Sequence, residues 1–280
     1  MGGAEAARIE PGGVAETLLW TLYHRAAEAR RPDGVLDDPR AVRLVDGIDF
    51  PFGQRFGAAA GAWSQWQALR ARAFDGAVRR FLAAHPDGTV VALGEGLETT
   101  YWRVDNGHVR WLSVDLPEAL ELRTRLLPRS QRQRLVAASA TDERWLDLVD
   151  TRAGTLVTAQ GLLMYLQPSE VHDLVAGCAA RLPGGSMVFD AVPSWLARQT
   201  QRRRLGAEGG YRPPPWAWGL DRAERRRLAA TPNVVDLREL RLPRGRGALF
   251  GAVVPAFARV PLLHPSLLRI LVARFGDTRA

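Results

Sequence analysis

Gly94 and Gly96 flank a single residue directly after Thr89–Leu93, a short apolar segment with the composition of a buried strand. Glycine lets a backbone turn tightly and approach a ligand closely, and the helix expected after this turn offers unpaired N–H groups at its start. Asp115 follows 21 residues after Gly94, at the end of the next apolar segment. An acid at that place can accept hydrogen bonds from the hydroxyls of a ribose, so the spacing predicts a site for a nucleoside-containing ligand.

The residues around these glycines narrow the class of ligand. A dinucleotide fingerprint has a third glycine at position 99, where this chain has Thr99, so NAD is disfavoured. Glu95 and Glu98 would repel a phosphate group but not a sulfonium cation. We therefore expect S-adenosyl-L-methionine as the ligand, and a plain tight turn is the alternative that the glycines alone leave open.

Four segments carry a more specific signal: RARAFD at 70–75, ALGEGLETTYWR at 92–103, SVDLPE at 113–118 and AQGLLMYL at 159–166. In this order and spacing they resemble the leucine carboxyl methyltransferase family, which includes bacterial polyketide and other small-molecule O-methyltransferases. The resemblance extends from about residue 14 to residue 192. It implies a class I methyltransferase fold in which helices precede the sheet.

The resemblance also implies roles for individual residues. Arg70 matches the arginine that holds the methionine carboxylate of the cofactor, with Arg72 as the neighbouring candidate, and guanidinium geometry suits a carboxylate. Asp142 falls where the family has an acid near the adenine amino group, and it is equally well placed to be the N-cap of the following helix. The complete set of cofactor-binding candidates is Arg70, Arg72, Gly94, Glu95, Gly96, Asp115, Leu116, Asp142, Gln160 and Gly161.

Four positions depart from the usual pattern of the family. Acids of the family are replaced here by Ala92 and Gln160, a small residue by Glu95, and an aspartate by Glu98. Either Glu95 supplies the missing negative charge near the sulfonium, or the chain is a degenerate member with a non-methylating or regulatory role. The main expectation is an S-adenosyl-L-methionine-dependent O-methyltransferase that acts on a carboxylate or hydroxyl of a small molecule, such as a polyketide-like metabolite.

The acceptor chemistry points to further candidates. A carboxylate is already ionised at neutral pH and needs positioning rather than a base, and Tyr165, Arg198 and Arg212 are candidates to hold it. A hydroxyl acceptor would need a base, for which His24 and His172 are candidates, although lone histidines on amphipathic helices are more often structural. Aromatic residues of a predicted lid could line a pocket for a flat acceptor or simply pack the lid: Trp195, Tyr211, Trp216 and Trp218.

Helices and strands must position these residues. Hydrophobic periodicity predicts helices at 14–31, after Pro39, and at 63–84, and from residue 89 short apolar runs alternate with helical stretches, which is typical of a parallel sheet. The seven predicted strands are 89–93, 109–114, 134–138, 155–159, 186–192, 234–240 and 249–256. We expect one α/β domain with a Rossmann-like, mostly parallel sheet and helices on both faces. Its parts are a helical cap at 1–88, a cofactor-binding core at 89–194, a lid insertion at 195–230 and C-terminal strands and a helix at 231–280.

Composition excludes several other classes of protein. All 38 cationic residues are arginines, and residues 198–280 contain 17 of them against six acids, which favours a solvated basic face over nucleic-acid binding. No cluster has metal-ligand spacing, and no apolar run reaches the length of a bilayer. The one cysteine, Cys178, and the charged first thirty residues predict a cytoplasmic protein without a secretory segment.

Overall fold

A parallel sheet with helices on both faces forms the centre of the molecule. The structure, a computed structural model, describes residues 7–8, 13–59, 61–202, 211, 213–257 and 268–277. The strands are β1 (Ala7–Arg8), β2 (Ile48–Asp49), β3 (Thr89–Leu93), β4 (Arg110–Asp115), β5 (Gln133–Ala137), β6 (Thr155–Ala159), β7 (Ser186–Ala191), β8 (Val234–Leu240) and β9 (Arg269–Phe275). β1 pairs only with β2, and the other strands form one sheet in the order β5-β4-β3-β6-β7-β9-β8.

The direction of the strands decides where a site can lie. β3 to β7 run parallel to one another, and β9 is antiparallel to both of its neighbours. The chain order reverses at β3, which lies between β4 and β6. A crevice beyond the carboxyl ends of the strands opens at such a switch point. The predicted seven-stranded, mostly parallel sheet is confirmed, because β3 to β7 are parallel and β9 alone among the seven strands of the sheet runs in the opposite direction.

The helices agree closely with the predicted ones. The α-helices are α1 (Gly13–Ala29), α2 (Pro39–Gly47), α3 (Phe52–Phe56), α4 (Ala62–Ala84), α5 (Thr100–Val104), α6 (Pro117–Leu126), α7 (Pro168–Arg181), α8 (Ser194–Arg202), α9 (Arg222–Ala229) and α10 (Val254–Phe257). Short 3₁₀ turns lie at Glu143–Leu148 and Leu163–Tyr165, and a π-helical turn at Leu249–Val253 leads into α10. The side chain of Asp38 caps α2 by accepting a hydrogen bond from Ala41 N at 3.0 Å. Proline at the first position of α2 costs nothing, since its N–H would have no partner there.

The sheet is buried on both faces because alternate residues of each strand point to opposite sides. Val91 and Leu93 of β3 pack with α7 on one face. Val90 and Ala92 pack with α4 on the other face. A separate aromatic core joins α1, α2 and α3 around Phe50. It also contains Leu97, which belongs to the turn at residues 94–99 that we call the glycine turn. The helical cap is thus packed directly on the turn that the sequence singled out.

The predicted strand at 249–256 is wrong, because this segment is helical. Phe250 and Val254 lie one turn apart and pack on Trp66, which is helical spacing, and Pro255 has no N–H for a sheet ladder. The seventh strand is β9, whose run from Ile270 to Ala273 is buried between β7 and β8. Apolar and β-branched residues followed by Gly276 are the sequence signal for it.

The predicted lid is described only in part. Within 195–230 the structure contains α8 and α9, and residues 203–210 and 212 lie outside the described residues, so Arg212 is outside as well. In the described part of the chain no helix is long and apolar enough to cross a bilayer.

Candidate active site

A cavity of about 450 Å³ lies beyond the carboxyl ends of β3, β6 and β7, between the sheet and helices α1 and α4. One end is polar and contains residues of the glycine turn, and the other end is aromatic. Its polar lining residues include Arg70, Gly94, Glu95, Glu98, Gln160, Gly161 and Asp190. Its aromatic lining residues are Trp20, His24, Phe56, Trp63, Trp66, Tyr165, Tyr211 and Trp216.

Arg70 is held at the polar end by Asp190, at the end of β7. Arg70 Nη1 donates to Asp190 Oδ2 at 3.0 Å, and the other carboxylate oxygen accepts from Gly161 N at 2.6 Å. Gly161 has φ +69°, and a Cβ added there would come within 2.9 Å of Arg70 Nη1. Arg70 Nε is buried without a partner among the described residues. A guanidinium that is fixed by a carboxylate and keeps a free N–H fits a ligand carboxylate.

The glycine turn is shaped by Asp115 at the end of β4. Asp115 Oδ2 accepts from Gly96 N at 2.7 Å and Oδ1 accepts from Leu116 N at 2.8 Å. Gly94 and Gly96 have φ +58° and +48°, and a Cβ on Gly96 would come within 2.2 Å of Leu18 Cδ2. Burial raises the pKa of Asp115, and the two N–H groups oppose that rise. Each oxygen keeps a lone pair for a ribose hydroxyl.

The carboxylate of Glu95 forms a buried ion pair with Arg123. Glu95 Oε1 is 2.9 Å from Arg123 Nη2 and also accepts from Ser113 Oγ. Burial raises the pKa of Glu95, and Arg123 opposes that rise. Arg123 Nη1 also donates to Gly96 O at 2.6 Å and to Glu98 O at 2.9 Å. Arg123 therefore ties the turn to α6, and Glu95 balances the buried charge of Arg123.

Gln160 and Glu98 form a matched pair across the cavity wall. Gln160 Nε2 donates to Glu98 Oε1 at 2.8 Å, and Arg25 Nη1 donates to the same oxygen at 2.6 Å. A glutamate at position 160 would bring a second carboxylate against Glu98. The departures from the family pattern at 98 and 160 are thus compatible with each other.

Glu98 also belongs to a buried network that we call the cap network: Arg25, Asp38, Asp75, Glu98, Thr99 and Arg103. Asp38 Oδ2 accepts from Thr99 Oγ1 at 2.6 Å and from Arg103 Nη1 at 2.7 Å. Arg103 holds Asp75 with two hydrogen bonds of 2.8 and 3.0 Å. The network joins α1, the N-cap of α2, α4 and α5 to the glycine turn.

His24 of α1 lies on the aromatic side of the cavity. Its Nδ1 is 2.9 Å from Ser64 Oγ of α4, and its ring makes an edge contact with Trp20 at 4.7 Å. Burial lowers the pKa of His24 to about 4. His24 is therefore neutral at pH 7, and its lowered pKa makes the imidazole a weak proton acceptor.

The lowered pKa of His24 predicts acid sensitivity of the fold. Between pH 6.5 and pH 4 the unfolded chain takes up a proton at this histidine and the folded chain does not, so stability falls as the pH drops through this window. We expect the free energy of unfolding of the wild type to fall, relative to His24→Gln, by up to about 3 kcal/mol from pH 7 to pH 4. Urea unfolding of both proteins across this range checks it, and parallel pH curves would contradict it.

Tyr165 and Tyr211 complete the aromatic side. Burial raises the pKa of both hydroxyls, so both are neutral donors at pH 7. Tyr211 stacks on Trp20 with ring centres 6.1 Å apart and donates to Thr17 Oγ1 at 3.1 Å. The predicted roles of Tyr165 and His24 remain predictions, and both residues line the cavity.

Several predicted residues lie outside the described lining of the cavity, among them Asp115 and Gly96, which shape the turn beside it. Arg198 is exposed on α8, and Arg72 is exposed on the far side of α4, where it contacts Val35 O. His172 binds Glu224 at 2.9 Å between α7 and α9. Asp142 is an N-cap that accepts from Arg144 N at 3.1 Å, and Arg144 lowers its pKa to about 2. Leu116 is partly exposed beside Asp115, where an apolar surface suits a planar base.

Sequence reasoning missed Asp190, Ser64 and Gln67. Asp190 lies 120 residues from its partner Arg70, so no local pattern connects them. Its one signal is an acid in the buried strand sequence MVFDAV, where an unpaired charge would be costly. Ser64 and Gln67 precede Arg70 at intervals of three, which places them on one face of α4.

The family model and the relatives that match the sequence are all methyltransferases. The family model for leucine carboxyl methyltransferase matches residues 19–179. The tetracenomycin polyketide synthesis O-methyltransferase TcmP of Streptomyces glaucescens is 37% identical over 74% of this chain and 76% of its own. The S-adenosyl-L-methionine-dependent methyltransferase dpfgK of Gibberella zeae is 29% identical over 58% and 59%. In fold, the chain is similar to a possible exported protein from Bordetella parapertussis, with a TM-score of 0.50, 18% identity and 95% and 97% of the two chains covered.

Proposed function

The chain belongs to the leucine carboxyl methyltransferase family and is an S-adenosyl-L-methionine-dependent O-methyltransferase, and on that premise we propose that its acceptor is a flat, largely apolar small molecule. The observation that carries the proposal is one cavity that runs from Arg70 and the glycine turn to a group of aromatic side chains. Aromatic walls favour planar acceptors by stacking and by burial of apolar surface. The chain has the class I methyltransferase fold, and its helical cap packs over the cavity.

The residues at the polar end fit the cofactor. Arg70 would hold the methionine carboxylate, and Asp115 would accept hydrogen bonds from the ribose. Leu116 and Asp142 remain our candidates for the adenine end, Gly94 leaves its part of the wall without a side chain, and Gly96 lets Leu18 pack closely on the turn. When bound, the cofactor supplies a methyl group that is activated by a positive sulfur.

The protein contributes chiefly position and exclusion of water. Trp20, Tyr211 and Trp216 cover the acceptor side, and the reacting oxygen has to be held close to the methyl group and in line with it. Tyr165 is our candidate to donate a hydrogen bond to the acceptor. A carboxylate needs nothing further, whereas a hydroxyl needs a base, for which His24 is present.

The relative TcmP is named for tetracenomycin polyketide synthesis, and this supports a polyketide-like acceptor for the present chain. A cavity of about 450 Å³ is of the size that holds small ligands. We propose a small-molecule acceptor rather than a nucleic acid, and a cytoplasmic reaction. Arg198, exposed on α8, could attract an anionic acceptor from outside the cavity.

One experiment tests the function against the alternative of a degenerate, non-methylating member. The folded protein is titrated with S-adenosyl-L-homocysteine in a calorimeter and then incubated with S-adenosyl-L-methionine and a set of aromatic acids and phenols. We expect binding, and a product heavier by one methylene unit. Absence of heat at millimolar ligand, with folding verified by circular dichroism, would support the degenerate alternative.

The aromatic wall makes a separate prediction. Trp20→Ala removes a ring that lines the cavity and stacks on Tyr211, so we expect the affinity for a flat aromatic probe to fall by about 10-fold. Calorimetry with 1-naphthol and the protein saturated with S-adenosyl-L-homocysteine measures it. Trp195→Ala is the matched control, because Trp195 is exposed and is not among the described lining residues. Equal losses in both variants would contradict the assignment.

A further inference from the structure

Trp216 has an indole N–H without an acceptor. The N–H is shielded from solvent and has no hydrogen-bond partner among the described residues. A buried tryptophan N–H usually finds an acceptor, and the other shielded indoles in the described part of the chain do so. Trp218 Nε1 donates to Glu224 Oε1 at 2.7 Å, and Trp145 Nε1 donates to Ala140 O at 3.0 Å. Trp216, which lines the cavity, is therefore an exception.

The backbone around Trp216 is held on two sides. Trp216 N donates to Thr200 Oγ1 of α8 at 2.9 Å, and Gln201 Nε2 donates to Trp216 O at 2.7 Å. The next two backbone N–H groups of the chain donate to Met164 O at 2.8 and 3.1 Å. These hydrogen bonds anchor the residue to α8 and to the segment after β6, so the indole has a defined place in the cavity wall.

The hydroxyl of Tyr165 is the neighbour of this N–H. Both side chains line the cavity and pack on the same apolar cluster. Burial raises the pKa of the Tyr165 hydroxyl, and the indole N–H of Trp216 opposes that rise, so the two groups lie close together without forming a hydrogen bond of normal geometry. The charges of Arg70 and Asp190 also act on this pKa. The Tyr165 hydroxyl therefore lies where the cofactor end of the cavity meets the aromatic end.

Two neighbouring donors suit one oxygen of the acceptor. The Tyr165 hydroxyl is neutral at pH 7 because its pKa is raised, so it can donate, and an indole N–H is a donor only. A carbonyl or carboxylate oxygen has two lone pairs, and an oxygen that accepts from both donors has none left for the methyl carbon. The methyl group must then go to a different oxygen of the same acceptor.

Resting on the proposed function, we propose that Trp216 and Tyr165 together bind the acceptor oxygen that is not methylated, which makes Trp216 a specificity-determining residue. The acceptor class is then a molecule with two neighbouring oxygens: a carboxylate, or a hydroxyl beside a carbonyl. The second oxygen forms its bond to the methyl carbon, while the carbon–sulfur bond breaks and its electron pair goes to sulfur. A carboxylate gives a methyl ester and loses no proton, whereas a hydroxyl gives a methyl ether and releases its proton to solvent.

Two uncharged probes of the same shape test the donor pair without turnover. 2-Acetonaphthone has a carbonyl oxygen where 2-ethylnaphthalene has a methylene group. Each is titrated into protein that is saturated with S-adenosyl-L-homocysteine. Trp216→Phe keeps an aromatic ring and removes the N–H, so we expect the affinity for 2-acetonaphthone to fall about 10-fold, or 1.4 kcal/mol, further than the affinity for 2-ethylnaphthalene.

Trp63→Phe is the matched control, because Trp63 lines the same cavity but is 47% exposed, and its N–H is not a shielded, unpaired donor. We expect this variant to change the affinities for both probes by the same factor. An equal fall for both probes in Trp216→Phe, a difference of the same size in Trp63→Phe, or binding of neither probe to the wild type overturns the inference. Failure to bind S-adenosyl-L-homocysteine itself would instead remove the proposed function.

The indole N–H can also be observed directly by nuclear magnetic resonance of nitrogen-15-labelled protein. Its signal is the one that Trp216→Phe removes, and we expect it to move downfield with 2-acetonaphthone and to stay in place with 2-ethylnaphthalene. Tyr165→Phe completes a double-mutant cycle. An oxygen that has lost one donor is free to leave the other, so the loss of affinity in the double variant should be smaller than the sum of the single losses. An unmoved signal or additive losses overturn the proposal.

Discussion

Replacing Asp115 by asparagine is expected to weaken the binding of S-adenosyl-L-homocysteine by at least about 100-fold, or 2.7 kcal/mol. The carboxylate has two duties, because it accepts from Gly96 N and Leu116 N and would also accept from the ribose. An amide of the same shape loses one acceptor atom and brings an N–H against one of these donors. Hydrogen bonds to a charged group contribute about 1.5–3 kcal/mol each, so losing one or two of them gives the expected effect. Calorimetric titration of both proteins measures it.

Glu118→Gln is the control for this change. Glu118 is an exposed acid three residues along the chain, in the first turn of α6, and removing its charge leaves the glycine turn intact. We expect its affinity to stay within about threefold of the wild type. If Asp115→Asn also stayed within that limit, Asp115 would have no part in cofactor binding.

The second large effect is expected at Arg123, whose loss should lower the free energy of unfolding by about 3–5 kcal/mol. Arg123→Met keeps much of the apolar stem but leaves Glu95 buried without its cation, and it leaves Gly96 O and Glu98 O without a donor. Urea unfolding followed by circular dichroism measures the change. The same variant should bind S-adenosyl-L-homocysteine more weakly, because these carbonyl groups belong to the glycine turn.

An exposed ion pair provides the comparison. Arg144→Met removes an arginine that is 88% exposed beside Asp142, and such pairs add little to stability, so we expect no measurable change. Combining Arg123→Met with Glu95→Gln should cost less than the sum of the single changes, because the double variant buries no unpaired charge. Additive losses would show that Glu95 and Arg123 do not depend on each other.

Much of the fold could be predicted from short-range patterns. β3 and β6 are short, mainly apolar segments with Thr at the first position, and α4 has a clear helical period. The bounds of all three elements were predicted within one residue. The error at 249–256 arose because an apolar run with valines fits a strand and a buried helix equally well. Pro255 argues against a central strand, and the packing of Phe250 and Val254 in one cluster with Trp66 shows the helical spacing.

The site was predictable where a residue acts through its own position in a motif, and less so where it acts through a distant partner. Arg70, Gly94 and Gly161 line the cavity, and their part in cofactor binding stays a prediction. The pairing of Glu95 with Arg123 could not be foreseen, because the direction of a side chain in a tight turn depends on the helix that packs against it. Arg198 was a candidate because of its type, but the face that a short helix exposes depends on tertiary packing.

The cap network has a consequence for how ligands can enter and leave. Arg25 of α1 is buried, and lifting α1 from the glycine turn would separate it from Asp38 and Glu98 and leave charges unpaired in the interior. We therefore expect backbone amides in the second half of α1 to exchange their hydrogens only when the whole domain unfolds. Helix α1, which carries His24 and Trp20, then stays in place through each catalytic cycle. Substrate and product must therefore enter and leave through another side of the cavity.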